Sequence, residues 1–573
     1  MKITASHTNP DNSRNADAII FQYRSAANKM IETVIFLLVT VFPLILHDSY
    51  YDILETKYCF YTLCILILSG AMLLLAFYMA GIHRKSLPGV PAKALLSRLH
   101  PGSWEKNFCA ADAMVLGFWL TAVISTLQSR FPYEAFWGNE GRYSGLFLLT
   151  LYVVSYFLIS RFWFLNGRLF DVFLASGMIL CLFGITDYFQ MDILHFRKDS
   201  PASMASFTST LGNINTYTAY VGMLLGLSAA LFALEKNLKK SIWYYACFIV
   251  SLTAIILGRS DNAYLSLAAV FIFLPFVLFS DKKGRWKYLF LVTTFFTALK
   301  MIRIADVRFA DRTFGLFGLF QVISNLKALS VLAPVLWVLT VTLGFYCWKH
   351  PKKETLKKHR TITYTYIWAA LILTAFLLIC LLLFDANKSG QEEKYAALGS
   401  YLIFNDRWGS GRGYIWKKSL WIYNHLTPMG KLFGCGPDTF GCLVSQTILL
   451  QMQNDTGMFF DNAHNSFLQY LVTIGLLGLA FYLLFLGASF VRLFRNRTRS
   501  PYIAGALLAV ICYVSQSLVN LDLPIVTPVM WLLISMGMAG STPTGHPHPV
   551  SSPVCPSPGK AIPESSNRHN KRR

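Results

Sequence analysis

The run Asp461-Asn462-Ala463-His464-Asn465-Ser466-Phe467 sets an imidazole among amides and a carboxylate, just ahead of an apolar stretch that ends near Val491. Histidine exchanges protons near neutral pH. The apolar stretch is long enough to cross a bilayer as one helix, and a helix N-terminus offers free N–H groups that favour anions. Together these features predict chemistry on an anionic substrate at a membrane surface. His464 would take a proton from an attacking hydroxyl or hydrogen-bond a phosphate, with Asp461 orienting the ring or capping the helix. Three arginines in other polar segments could add fixed charge that matches phosphate oxygens two at a time. Arg142 lies in Gly138-Asn139-Glu140-Gly141-Arg142-Tyr143-Ser144-Gly145, Arg259 in Gly258-Arg259-Ser260-Asp261-Asn262, and Arg412 in Gly409-Ser410-Gly411-Arg412-Gly413. Asn213 and Asn215 open a further apolar run. Singly, Arg142 and Arg259 read as interfacial side chains, snorkelling or paired with Glu140 or Asp261, and Arg412 reads equally well as a solvated loop residue. As a set with His464 they read as a site.

The elements that must position this set are membrane helices. The chain of 573 residues is 54% hydrophobic and 15% aromatic, with only 14% charged, which excludes an ordinary soluble protein. About 14 apolar runs of spanning length occur, centred near Phe36, Ile67, Leu120, Val154, Ile179, Leu224, Ile249, Phe271, Phe290, Trp337, Leu373, Leu479, Val510 and Leu532. Lys300 and Arg303 shorten the run at Phe290. The net charge of +22 fits loops facing cytoplasm and anionic lipid better than nucleic acid. Basic loops (84–106, 235–240, 281–285, 349–360, 492–499) alternate with mixed or acidic ones, so the positive-inside rule puts both termini in the cytoplasm. The polar openings of the fourth, sixth, eighth and twelfth runs then share the outer side.

The fold class expected is an all-α integral membrane protein of about 14 helices with one long outer loop containing short interfacial helices. Residues 1–29 form a cytoplasmic segment, 30–384 a bundle of about 11 helices, 385–465 the loop, 466–540 about three more helices, and 541–573 a disordered basic tail. The loop is too long for a plain connector. Its aromatic-basic stretch from Tyr414 to Tyr423 reads as an interfacial helix, and Asp438 in Gly436-Pro437-Asp438-Thr439-Phe440 as a helix N-cap. Cys435 and Cys442 could pair. The sequence shows no His/Cys metal spacing, Walker loop or dinucleotide fingerprint, so no metal or cofactor is expected.

Ala463-His464-Asn465-Ser466-Phe467-Leu468-Gln469-Tyr470-Leu471 with Gly475-Leu476-Leu477-Gly478-Leu479 resembles the C-terminal signature of the O-antigen ligase and O-antigen polymerase family. Gly411-Arg412-Gly413-Tyr414-Ile415-Trp416 and Gly434-Cys435-Gly436-Pro437-Asp438 resemble its long outer loop. Thr210-Leu211-Gly212-Asn213-Ile214-Asn215 resembles a further element, with Ile214 where proline is usual. Gly258-Arg259-Ser260 stands where the family has Ser-Arg-Gly. The resemblance implies a GT-C-like bacterial glycosyltransferase in the cytoplasmic membrane, metal-independent and inverting. It would move a glycan from an undecaprenyl-diphosphate carrier to an acceptor hydroxyl on a glycan, lipid or protein at the outer face. His464, Arg259 and Arg412 would be catalytic, and Arg142, Asn213, Asn215, Asn465 and Asp461 would bind substrate. A transporter of lipid-linked sugars is the alternative, although transporters place polar groups near the bilayer midplane.

Overall fold

A computed structural model describes residues 10–86, 108–196, 206–279, 281–350, 358–388 and 393–542. Residues 1–9, the loop carrying Lys93, Arg98 and Lys106, parts of the loops at 191–212 and 349–360, and the tail beyond Thr542 lie outside the described residues. Each of the fourteen predicted apolar centres falls in a helix. These are α1 (Pro10–Leu44), α2 (Ile53–Ser86), α3 (Ala110–Leu127), α4 (Leu146–Phe162), α5 (Gly167–Tyr188), α6 (Ile214–Leu234), α7 (Leu238–Leu257), α8 (Ala263–Leu278), α9 (Lys282–Arg308), α10 (Leu329–Lys349), α11 (Lys358–Ala386), α12 (Gly475–Asn496), α13 (Pro501–Gln516) and α14 (Thr527–Gly540). Ten of them are long and apolar enough to cross a membrane. The other four, α4, α8, α13 and α14, are apolar but run only 14 to 17 residues, short of the roughly 20 that a hydrocarbon layer asks of a straight helix. The molecule is thus an all-α, multi-pass membrane protein. Its described strands are one antiparallel pair, Phe207–Thr208 with Gly212–Asn213.

The core forms around α6, of which 94% of the apolar stretch is buried. It packs most closely on α13, with α7, α8 and α5 around it. Bare backbone makes the closest approach possible: a side chain at Gly226 would meet the Leu508 carbonyl at 2.9 Å. Close packing of this kind drives helix association where lipid removes the hydrophobic gain. At the other extreme none of the apolar stretch of α11 is buried, so its leucines face lipid. The α1–α2 corner is closed by Lys57, which is fully buried. Its ammonium donates to the carbonyls of Phe42, Pro43 and Ile45 at 2.8, 3.1 and 3.0 Å, satisfying acceptors that the end of α1 leaves open.

Two sequence expectations change. The helix at Phe290 is not cut short: α9 runs through Lys300 and Arg303 to Arg308, and Arg303 pairs with Asp306 one turn on at 3.2 Å. The stretch after His464 is two helices rather than one, Ser466–Thr473 and then α12. The break follows from backbone crowding. Gly475 has φ +80°, and a side chain there would stand 2.4 Å from the Leu432 carbonyl and 2.5 Å from the Gly434 nitrogen. The freed Thr473 carbonyl instead accepts from Cys435 N, Gly436 N and Ser125 Oγ at 3.1, 2.9 and 2.8 Å. The long outer loop, expected to contain short interfacial helices, is mostly helical. Helices at Trp408–His425, Pro428–Phe433, Phe440–Thr447 and Leu449–Thr456 bury their own small core of Tyr414, Ile415, Phe440, Val444, Met452 and Phe460. They form a cap over the end of the bundle where α4, α6, α8 and Ser466–Thr473 begin.

Candidate active site

The histidine segment is held by its own side chains. Asn462 accepts from the His464 nitrogen at 2.9 Å, fixing His464 in the left-handed region at φ +47°, where few residues other than Gly, Asn or Asp settle unaided. Asn465 caps the next helix, its oxygen accepting from Phe467 N and Leu468 N at 2.9 and 3.1 Å. Gln469 accepts from Ala463 N at 3.0 Å. The imidazole is thereby aimed away from its own helix. It meets the edge of the Phe460 ring at 5.9 Å, and among the described residues neither ring nitrogen has a hydrogen-bond partner.

Charge decides the state of that ring. Burial, then the positive charges of Arg412 and Arg142, push His464 down to about 4, with Asp461 opposing. The imidazole is therefore neutral at pH 7 and able to accept a proton. Arg142 and Asp461 form a two-pronged ion pair, Nε to Oδ2 and Nη2 to Oδ1, both at 2.9 Å. Burial disfavours the Asp461 charge, but Arg142 and the Asn462 amide outweigh it and hold the carboxyl below its usual range. The expected uses of Asp461, as ring orienter or helix cap, give way to this pairing. It spans 319 residues of sequence and neutralises much of the charge Arg142 would have offered a ligand.

Arg412 keeps its charge uncompensated at contact distance. The run Gly409-Ser410-Gly411 takes positive φ throughout, at 57°, 60° and 92°, and ends in a helix that carries Arg412. The guanidinium folds back to donate to the Gly409 carbonyl at 2.8 Å and to the Val519 carbonyl at 2.9 Å. Burial lowers its proton affinity, and Asp261 works the other way. Asp261 in turn accepts from Tyr401 at 3.0 Å. Ser260 donates to Asn215 Oδ1 at 2.6 Å, and Asn520 to the Asn215 carbonyl at 3.2 Å. Asn213 caps α6 through Asn215 N at 2.8 Å. Asn213, Asn215 and Asn465 thus act on the framework, stitching helix starts together.

Arg259 stands apart. It is not among the charges that act on His464. Its φ is +54°, its guanidinium lies over the Phe314 ring at 5.0 Å, and its buried Nε and Nη1 carry no hydrogen bond. Beside it Tyr188 donates to Asp306 at 2.6 Å. Tyr188 and Asp306 sit at one end of an apolar cavity of about 420 Å³ between α5, α7, α9 and α10, lined deeper in by Tyr245, Thr294, Ala298 and Trp337.

Two carboxylates that sequence reading did not place in the site line a narrow cavity next to Arg142. Asp438, expected to cap a helix, has φ +60° and leaves that position to Thr439. Its Oδ2 accepts from Asn139 N and Ser144 N at 2.8 and 3.0 Å, pinning the Arg142 turn from both ends. Burial pushes its carboxyl up to about 7 against those hydrogen bonds. Asp522 accepts from Tyr470 at 2.9 Å and Tyr513 at 3.0 Å, and burial raises it as well. A lone carboxylate in Asn520-Leu521-Asp522-Leu523-Pro524, between two apolar runs, was the signal available for it. Cys435 and Cys442 are both free thiols.

The all-α membrane bundle is thus capped at one end over a neutral histidine, a buried arginine and an ion pair. Residues 313–483 match the O-antigen ligase family, which supports a polysaccharide-related membrane enzyme. The match includes Arg412, Asp461, His464 and Asn465. Arg142, Asn213, Asn215, Arg259 and Asp522 lie outside it. No curated protein matches the chain.

Proposed function

We propose that this chain is a GT-C-type glycosyltransferase that moves a glycan from an undecaprenyl-diphosphate carrier to an acceptor hydroxyl at the outer face of the bacterial cytoplasmic membrane. The single observation behind the reading is the neutral, unpartnered His464 imidazole under the charges of Arg412 and Arg142. The acceptor oxygen attacks the anomeric carbon and inverts it. The bond from that carbon to the diphosphate oxygen breaks, and the carrier diphosphate leaves with the electron pair. The hydroxyl proton passes to His464. Arg412 faces the charge that develops on the leaving diphosphate, Arg259 takes its far side, and Arg142 sets the histidine segment through Asp461. The apolar cavity beginning at Tyr188 and Asp306 suits the isoprenoid tail. The site uses no metal in this reading, so chelation leaves the rate unchanged.

The test is detergent-purified protein given a lipid-diphosphate-linked glycan and a glycan, lipid or protein acceptor. Release of free carrier diphosphate, lost in His464→Ala and Arg412→Ala, is the expected result. Transbilayer movement of intact donor without release would identify a transporter and end the reading. Clustering of the polar groups at one end of the bundle, rather than at its midplane, favours the transferase.

A further inference from the structure

At the opposite end of the bundle lies a second cationic cluster that the transferase chemistry does not use. Asp112, in the first turn of α3, is completely buried and paired with Arg161 in the last turn of α4, whose side chain is 7% exposed. Asp112 also accepts from Cys109 N at 2.7 Å and from Tyr156 Oη at 2.8 Å. Tyr156 packs edge-on against Phe485 of α12 at 5.4 Å. Ser489 and Arg492 follow Phe485 by four and seven residues, so all three share one face of α12. That face therefore carries Ser489 and Arg492 past the Asp112–Arg161 pair, and the Arg492 charge acts on the Cys109 thiol. Arg492 is steadied by one hydrogen bond to Thr542, just past α14, at 3.0 Å, and Arg499 donates to the Ser541 carbonyl at 3.0 Å.

What marks this place is a group of buried donors with nothing to bond. Arg161 Nη1, Arg492 Nε and Ser489 Oγ are all buried and unpartnered among the described residues. A buried N–H of a charged group left without an acceptor is costly. Two guanidinium groups against one carboxylate leave an excess positive charge. An acceptor with several oxygens and one negative charge would satisfy both needs.

We propose that Arg161, Ser489 and Arg492 form a binding site for a phosphate-bearing anion between α4 and α12, at the end of the bundle remote from His464. The phosphate belongs either to a phospholipid headgroup, as basic pockets between membrane helices accept, or to free phosphate. The test is thermal unfolding of the delipidated full-length protein in detergent, titrated separately with dioleoyl phosphatidylglycerol, dioleoyl phosphatidylcholine and inorganic phosphate. Phosphatidylglycerol should raise the melting temperature and phosphatidylcholine should not. Arg492→Gln should weaken the phosphatidylglycerol response about tenfold in concentration, as loss of a charge-assisted contact does. Arg412→Gln, at the other end, should keep it in full. A response to inorganic phosphate as well identifies the free ion as a sufficient ligand. Equal responses to both lipids with none to phosphate, an unchanged Arg492→Gln, or loss in Arg412→Gln instead would overturn the proposal. If Arg492→Gln does not fold, the two-lipid comparison on the wild-type protein still decides.

Discussion

In the proposed reaction His464 acts as a neutral base. His464→Ala should lower kcat by about 10²–10⁴-fold, the usual range for a lost general base, measured as carrier diphosphate release. The acid limb of the wild-type pH profile should fall near pH 4, where the buried ring gains its proton, rather than at the ordinary 6.5. The same groups shape stability. His464 folded binds fewer protons than unfolded, so its contribution is present above 6.5 and lost as pH falls towards 4. Asp438 does the reverse. Its carboxyl keeps a proton up to about 7 when folded but only to 3.8 when unfolded, so its contribution is present below 3.8 and lost as pH rises towards 7. Compared with wild type, the melting temperature of Asp438→Asn should climb more steeply from pH 4 to 6.5, and that of His464→Gln should decline over the same interval. Arg142 and Asp461 act as one unit. A double-mutant cycle on kcat/KM should give a coupling of about 1–3 kcal/mol between them, while Arg142 and Arg259, which share no partner, should be additive.

At the scale of elements, the site depends on where helices stop. The break at Gly475 lets Thr473 gather three donors and sets Ser466–Thr473 under the cap as a separate helix. Gly475→Ala puts a side chain against the Leu432 carbonyl in a left-handed backbone. It should cost at least 1–2 kcal/mol, roughly the penalty for that conformation alone, and reduce folded yield and transfer together. Gly487 lies within α12 and has nothing within 4 Å of an added Cβ. Gly487→Ala should be neutral or stabilising by about 0.5–1 kcal/mol. Size-exclusion yield and melting temperature of the two variants in the same detergent check the contrast.

For the whole molecule, the proposed donor would divide its charge and its tail: charge at the cap, tail in the gap between α5, α7, α9 and α10. Ala298→Trp would fill that gap, which holds about 420 Å³. It should raise KM several-fold for a long-chain donor, with kcat falling less. A donor with a short, water-soluble tail should be affected little. Equal effects on both donors would show that the cavity does not hold the tail.

Apolar periodicity placed each of its fourteen centres in a helix, because a helix in lipid must satisfy its own backbone and cover it with apolar side chains, and that demand is local. The residues with chemical potential were legible for the same reason: charge near an apolar run is conspicuous. Partnerships were not. Whether Arg142 would meet Asp461 or Glu140, whether Asp438 would cap a helix or pin a turn, and whether Arg259 would reach His464 depended on contacts between segments hundreds of residues apart. The end of the helix at Thr473 also rests on Gly434 pressing against Gly475, a meeting of two backbones with no side chain to announce it. Sequence determined which groups were available and on which helix end each sat; tertiary packing alone decided which charges neutralise one another and which remain free for a substrate.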